Sequence, residues 1–453
     1  MMKQREAWKS NLGFVLAALG SAVGLGSIWR FPYVVGENGG AAFILVYVFC
    51  LFLIGFPIMI TEILIGRTAQ SSPPGAFKKI AKSAKWRYGG LLTVLTGFII
   101  SSFYSVISGW ALGYLIEAID GSLTNLTTPA MATEIFISLS GSASWALGYH
   151  LGFLILSLVV LFSGVRKGIE AASKILMPLL FILLLFLTIK GLMMPGASEA
   201  LHFIFSPNWS SLTAKGILMA LGQAFFTLSL GQGTMITYGS YLKGKTDLVT
   251  TCFPIVILNT IIALLMGVSI FSIVFSVGMP LNVGEPLVFE TLPIVFNQIP
   301  WGHFFSVIFF FLVFIAALTS EISALEPVIA YLIDNKKFSR HGAAITTVVG
   351  AFILGIPSAL SFGLMKQLTI MGMNFLELVS FIAVNILVPI GALVAVLMTA
   401  WRWGMDKAFI QLKVHENHYF HTKPFLRNYF VFTVKYFAPL FIIFILLNSL
   451  GLF

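Results

Sequence analysis

The sequence Gly20-Ser21-Ala22-Val23-Gly24-Leu25-Gly26-Ser27-Ile28-Trp29-Arg30-Phe31-Pro32 lies within the first strongly apolar segment of a 453-residue chain. There, an interior glycine costs roughly 1 kcal/mol against alanine, and an arginine near a bilayer centre about 2.5–3.5 kcal/mol. The segment therefore reads as two half-helices joined by unwound backbone, buried in protein and lining a cavity. Freed N–H groups at the positive end of a half-helix hold an anion, and freed carbonyls hold a cation. A competing reading takes Gly20 and Gly24 as a small-residue packing stripe; Gly26, Arg30 and Pro32 weigh against it. A second interruption, Ser229-Leu230-Gly231-Gln232-Gly233, stands in a later apolar segment. Glu321, an acid inside another, is a functional suspect by position alone. It either works at a site or pairs into a neighbouring helix, and the sequence leaves both readings open.

Other chemistries are missing. The cysteines, Cys50 and Cys252, both fall inside apolar runs, which suggests neither a disulfide framework nor a thiolate metal site. The histidines show no ligand spacing on one helix face. No nucleophile with a base and no phosphate-cradling glycine loop can be assembled, so the chain reads as no enzyme.

The elements that position these residues follow from composition. Charged residues are 10% and hydrophobic residues 58%, the balance of an all-α polytopic membrane protein. Eleven apolar runs long enough to span a bilayer are placed at 11–35, 41–66, 88–118, 145–163, 169–193, 215–240, 250–278, 303–334, 342–361, 371–400 and 428–452. With the N-terminus inside, only Arg30, Lys190, Lys215 and Lys366 of the 27 Lys and Arg fall on the outer side, a strong positive-inside signal. The expected location is the cell inner (plasma) membrane, multi-pass, with a cytoplasmic N-terminus and the C-terminus outside. The net charge of +10 is thereby explained by topology and anionic lipid, without a nucleic-acid partner. The stretch 71–87, with Lys78, Lys79, Lys82, Lys85 and Arg87, is expected on the inner membrane surface. Breaks in spans 1 and 6, five spans apart, imply an inverted repeat. This divides the chain into an N-terminal segment (1–10), two halves of five helices (11–193 and 215–400), a cytoplasmic loop (401–427) and an eleventh helix (428–453).

The motif GSAVGLGSIWRFP, followed by ENGGAAF (Glu37–Phe43), FFTLSLGQG (225–233) and ALTS (317–320), resembles the neurotransmitter:sodium symporter family with the LeuT fold, over most of the chain. The resemblance implies that the N–H groups of Leu25 and Gly26, with the Tyr104 hydroxyl, bind a substrate carboxylate. Ala22, Gly24, Ile100, Phe226, Thr227, Ser229, Gln232, Ser320 and Ala324 would complete the pocket. Gly24 stands where relatives that carry monoamines have an acid, so an amino acid is expected. One sodium site is implied at the carbonyls of Gly20, Val23 and Ala316 with the hydroxyls of Thr319 and Ser320. A second, at Ala22, Ser27, Thr227 and Asn259, has a serine for the family's asparagine and is expected to be weak. The implied inner gate comprises Arg5, Trp8, Ser240, Tyr241 and Asp334. The outer gate comprises Arg30 and the Phe226 lid, with Ser380 at the place of the family acid and Glu377 one turn away. Gly168 and Pro178 match the hinge of span 5.

Two departures concern charge. Ala263 stands where relatives have an acid or serine, while Tyr47 and Gln223 match a chloride constellation, so the implied ions are one or two Na+, with Cl- admitted. Glu326 replaces a family glutamine near the inner gate. The pocket, with Gln232 and Ala324, should be roomier and more polar than in leucine-type relatives. The resulting expectation is a sodium-coupled symporter importing neutral L-amino acids by alternating access. The runner-up is a non-transporting sensor or passive conductance on the same fold. The partners are a small-molecule amino acid and membrane lipid; the sequence specifies no oligomeric state.

Overall fold

The protein is described by a computed structural model covering residues 5–124, 126–243, 246–278, 288–412 and 423–452. Among these residues nine unbroken helices are long and apolar enough to cross a membrane. The pair Asn11–Ala22 and Gly26–Glu37, bent by 50°, makes a tenth span. Ala214–Thr227 and Thr234–Gly239, separated by the Ser229–Gly233 interruption, form span 6 and complete the eleven. The intact spans are Ala41–Ala69 (span 2), Arg87–Ile119 (3), Ala143–Phe162 (4), Val165–Leu192 (5), Leu248–Ser276 (7), Gly302–Lys336 (8), Arg340–Ala359 (9), Phe375–Leu412 (10) and Pro424–Ser449 (11).

Polar residues fix where these helices begin. Side chains of Ser10, Ser142, Thr213, Asp247, Ser339 and Asn374 each accept a first-turn N–H, satisfying donors that have no partner within the helix. Spans 3, 7 and 8 are buried over 72% of their most apolar window, and spans 4 and 5 over 33%. The first three, with the broken spans, form the interior; the others present Val159, Ile175 and Ile182 outward, where lipid replaces water as the apolar solvent. Span 8 packs along span 3, placing Ser320 opposite Tyr104 beside the break in span 1.

Two expectations are corrected. Span 10 does not stop at residue 400: it continues through a wide π-type turn, Met398–Gly404, into Met405–Leu412. Much of the expected 401–427 loop is therefore helix, buried on Trp403, Met405, Ala408 and Phe409; residues 413–422 lie outside the described residues. The stretch 71–87 does not lie free on lipid either. Its helix Pro73–Ala81 seats Pro74, Phe77 and Ala81 against spans 2 and 3, and Lys78 and Lys79 sit on the exposed face.

Candidate substrate and ion site

Backbone freed at the two breaks builds the centre of the molecule. In span 1 the last helical turn closes with Val23 N–H on Leu19 O, and the Leu25 N–H leaves the helix to donate to the Tyr104 hydroxyl at 3.0 Å. In span 6 the chain passes through left-handed conformations at Ser229, Gly231 and Gly233 (φ 53°, 73° and 79°). Gly231 is required twice over. Its φ favours glycine, and a Cβ there would lie 2.0 Å from the Val388 carbonyl of span 10.

Glu62 of span 2, which sequence reasoning passed over, holds this break: its Oε1 accepts the Gly231 N–H at 2.8 Å. An acid inside the apolar run Phe56–Ile65 was the signal that could have found it.

A small cavity lies between the breaks, lined by Ser21, Ala22, Gly24, Gly26, Ile100, Tyr104, Phe226, Ser229, Gln232, Ser320 and Ala324. Ten of these are pocket residues expected from sequence; Ser21 was missed, and Thr227 faces elsewhere. A Cβ on Gly24 would meet Ser320 Oγ at 2.1 Å and the Tyr104 hydroxyl at 2.6 Å, so position 24 admits no side chain. The Phe226 ring lies over Gly26, 2.8 Å from where its Cβ would be, and stacks beneath the Arg30 guanidinium at 5.4 Å.

Two oxygen clusters flank the cavity. Ser320 Oγ lies 3.1 Å from the Gly20 carbonyl, and Thr319 Oγ1 lies 3.1 Å from the Ala316 carbonyl. Uncharged oxygens gathered at a helix break suit a hard cation. In the second cluster Ser27 Oγ lies 2.7 Å from Thr227 Oγ1, 3.1 Å from Asn259 Oδ1 and 3.3 Å from the Ala22 carbonyl. Ser27 is the residue of this cluster that touches all three of the others. Beside it the buried Tyr47 hydroxyl faces Thr227 and Asn259, while Gln223 Nε2 donates to the Gly26 carbonyl at 2.7 Å.

The inner end is shut. Arg5 bonds Asp334 at 2.6 Å and Ser240 Oγ at 2.8 Å and lies over the Tyr241 ring; the Trp8 indole donates to the Tyr238 carbonyl at 2.9 Å. Glu326 adds to this closure, accepting from Arg340 at 2.6 and 2.7 Å and from the Tyr241 hydroxyl at 2.7 Å.

Toward the opposite end a second cavity, lined by Trp29, Arg30, Phe226, Glu377, Ser380 and Asn385 among others, borders the Phe226 ring. Arg30 and Glu377 share it, but Glu377 is engaged in a capping box with Asn374, and no Arg30–Glu377 ion pair forms among the described residues. At the hinge, Gly168 sits in the wide turn Val165–Ile169, its Cα against the Val160 carbonyl, and Pro178 lies inside the following helix. Glu321 is fully buried and does not line the cavity; its carboxyl faces Ser101 of span 3, and it forms no ion pair among the described residues.

A centre built from two broken helices and closed at one end by the Arg5–Asp334 and Arg340–Glu326 pairs is a transporter's arrangement, and comparison with known proteins agrees. The model of the sodium:neurotransmitter symporter family matches residues 5–135 and 126–453. The chain belongs to this family. It is 38% identical over 445 residues, 98% of both chains, to an uncharacterized sodium-dependent transporter, YhdH, of Bacillus subtilis. It is 28% identical to the human sodium- and chloride-dependent taurine transporter, covering 90% of this chain and 73% of that protein. Among solved structures, that of MhsT in complex with L-phenylalanine superposes with a TM-score of 0.90 at 42% identity, covering 98% of this chain and 100% of MhsT. The protein is thus a multi-pass, sodium-coupled transporter of small molecules with the LeuT fold.

Proposed function

We propose that the protein is a symporter importing neutral L-amino acids with sodium by alternating access across the cell inner membrane, its N-terminus cytoplasmic and its C-terminus outside. The observation that carries this reading is the closure of position 24 by Ser320 and Tyr104. With no acid admitted there, the polar groups nearest the break are the Leu25 N–H and the Tyr104 hydroxyl, both suited to a carboxylate. MhsT, solved with L-phenylalanine, supports the same class.

In this reading Leu25, Gly26 and Tyr104 hold the carboxylate. Gly20, Val23, Ala316, Thr319 and Ser320 hold one sodium, and Ala22, Ser27, Thr227 and Asn259 a second. Binding of both ligands stabilises the state in which Phe226 closes the pocket, and linkage makes each raise the other's affinity. Exit requires the Arg5–Asp334 and Glu326–Arg340 pairs to part and span 5 to yield near Gly168 and Pro178. The Tyr47 hydroxyl and Asn259 amide beside the second sodium site are donors suited to a chloride there, where Ala263 supplies no acid.

Proteoliposome uptake of labelled amino acids, with sodium, chloride and pH varied separately, tests the proposal. Accumulation against a gradient is expected only with inward sodium, and an amino acid should bind while its decarboxylated amine does not. Equal binding of acid and amine would remove the carboxylate role, and sodium-independent equilibration would mark a passive conductance.

A further inference from the structure

The cavity wall that faces a substrate side chain carries an unusual imbalance of hydrogen bonds. Its serines satisfy one another: Ser323 Oγ donates to Ser21 Oγ at 2.7 Å, Ser21 Oγ to Ser229 Oγ at 2.9 Å, and Ser229 Oγ to the Ser21 carbonyl at 2.9 Å. Tyr104 is engaged with Leu25 at the carboxylate end. Gln232 differs. It lines the cavity, is 7% exposed, and its side chain bonds no described residue, although a carboxamide carries two donors and an acceptor.

The surroundings define what would satisfy it. Ala324, small, is on the same cavity lining as Gln232. No charged residue lines the cavity, so a charged substrate side chain would be desolvated without a partner. An apolar one would leave the carboxamide unpaired, and a site with an unpaired buried polar group discriminates against such a ligand more sharply than an apolar pocket discriminates by size. The small cavity also houses the backbone end of the substrate, which limits side-chain length.

We propose that this transporter selects amino acids with a short, uncharged, hydrogen-bonding side chain, the hydroxyl and carboxamide class, and that Gln232 is the residue that reads it. The proposal rests on the amino-acid reading of the site given above.

Sodium-dependent scintillation proximity binding to the purified full-length protein tests it with three shape-matched pairs: threonine and valine, asparagine and leucine, glutamine and methionine. The polar member of each pair is expected to bind about tenfold tighter or better, the gain of one hydrogen bond in place of an unsatisfied group. In Gln232→Met the ratio should invert while sodium-dependent binding of the apolar members persists, which also shows that the variant is folded. Equal affinity within the pairs in the wild type, or an unchanged ratio in Gln232→Met, overturns the selectivity proposal and leaves amino-acid transport standing. Absence of sodium-dependent binding of any amino acid overturns both.

Discussion

At the scale of single residues, the site depends on side chains that are absent as much as on those present. Gly24→Ala would place a methyl 2.1 Å from Ser320 Oγ, displacing a proposed sodium ligand and the Tyr104 hydroxyl together. Amino-acid binding should fall by well over tenfold in an otherwise folded protein, measured beside its thermal midpoint. Tyr104→Phe removes the acceptor of the Leu25 N–H and the second carboxylate donor; a loss of about tenfold in amino-acid affinity is expected from that hydrogen bond. Ser27 touches all three partners of its cluster. Ser27→Ala should therefore reduce the sodium Hill coefficient of uptake from about two to about one, the remaining site being that of Thr319 and Ser320. Unchanged sodium cooperativity in Ser27→Ala would return the cluster to the weak site that a serine for asparagine implies.

Elements decide which end is open. The N-terminal segment is latched by Arg5 to Asp334 and Ser240 and by Trp8 to Tyr238, so Arg5→Ala should favour the state open to the cytoplasm. Cysteines introduced on the inner pathway should then label faster, and outer-vestibule cysteines more slowly. The break in span 6 is held differently, by a carboxylate from span 2. Glu62→Ala would leave the buried Gly231 N–H without its acceptor, at a cost of about 1–3 kcal/mol, whereas Glu62→Gln keeps an oxygen in place. Thermal unfolding should separate the two variants, with Glu62→Gln near the wild type; equal loss in both would assign Glu62 a role other than capping.

For the whole molecule, the governing quantity is charge carried through a low-dielectric interior. A sodium ion held at the Ser27 cluster, as proposed, would have no carboxylate at position 263 to offset it, since that position is the buried Ala263, and Tyr47 lies beside Thr227 and Asn259 of the cluster. Replacing chloride by gluconate should weaken sodium-dependent uptake, and Ala263→Glu should abolish that chloride dependence, because a fixed negative charge then favours the cation. Chloride-independent uptake by the unmodified protein would show that its sodium is tolerated without compensation.

Much of this was legible in the residues themselves. Long apolar runs must become helices in a bilayer, because the backbone has no water to bond to. Glycines in the middle of such runs mark breaks, because a continuous helix gains nothing from them. Ten of the eleven cavity residues followed from those breaks and from the family resemblance. What the residues left undecided were relations set by packing between distant segments. Whether Ser27 reaches its partners depends on how closely spans 1, 6 and 7 approach. That Glu377 caps its own helix instead of facing Arg30 depends on the turn before span 10. Glu62 could not be assigned, since its partner Gly231 is 169 positions away and meets it only in the folded bundle. Glu321 has two readings in the sequence, and only the fold shows its surroundings: the acid is buried beside Ser101 of span 3 without an ionic partner among the described residues. Local sequence fixes what a segment can become, through backbone hydrogen bonding and side-chain solvation. Tertiary contact decides which polar groups find partners, and so which remain free to bind a substrate.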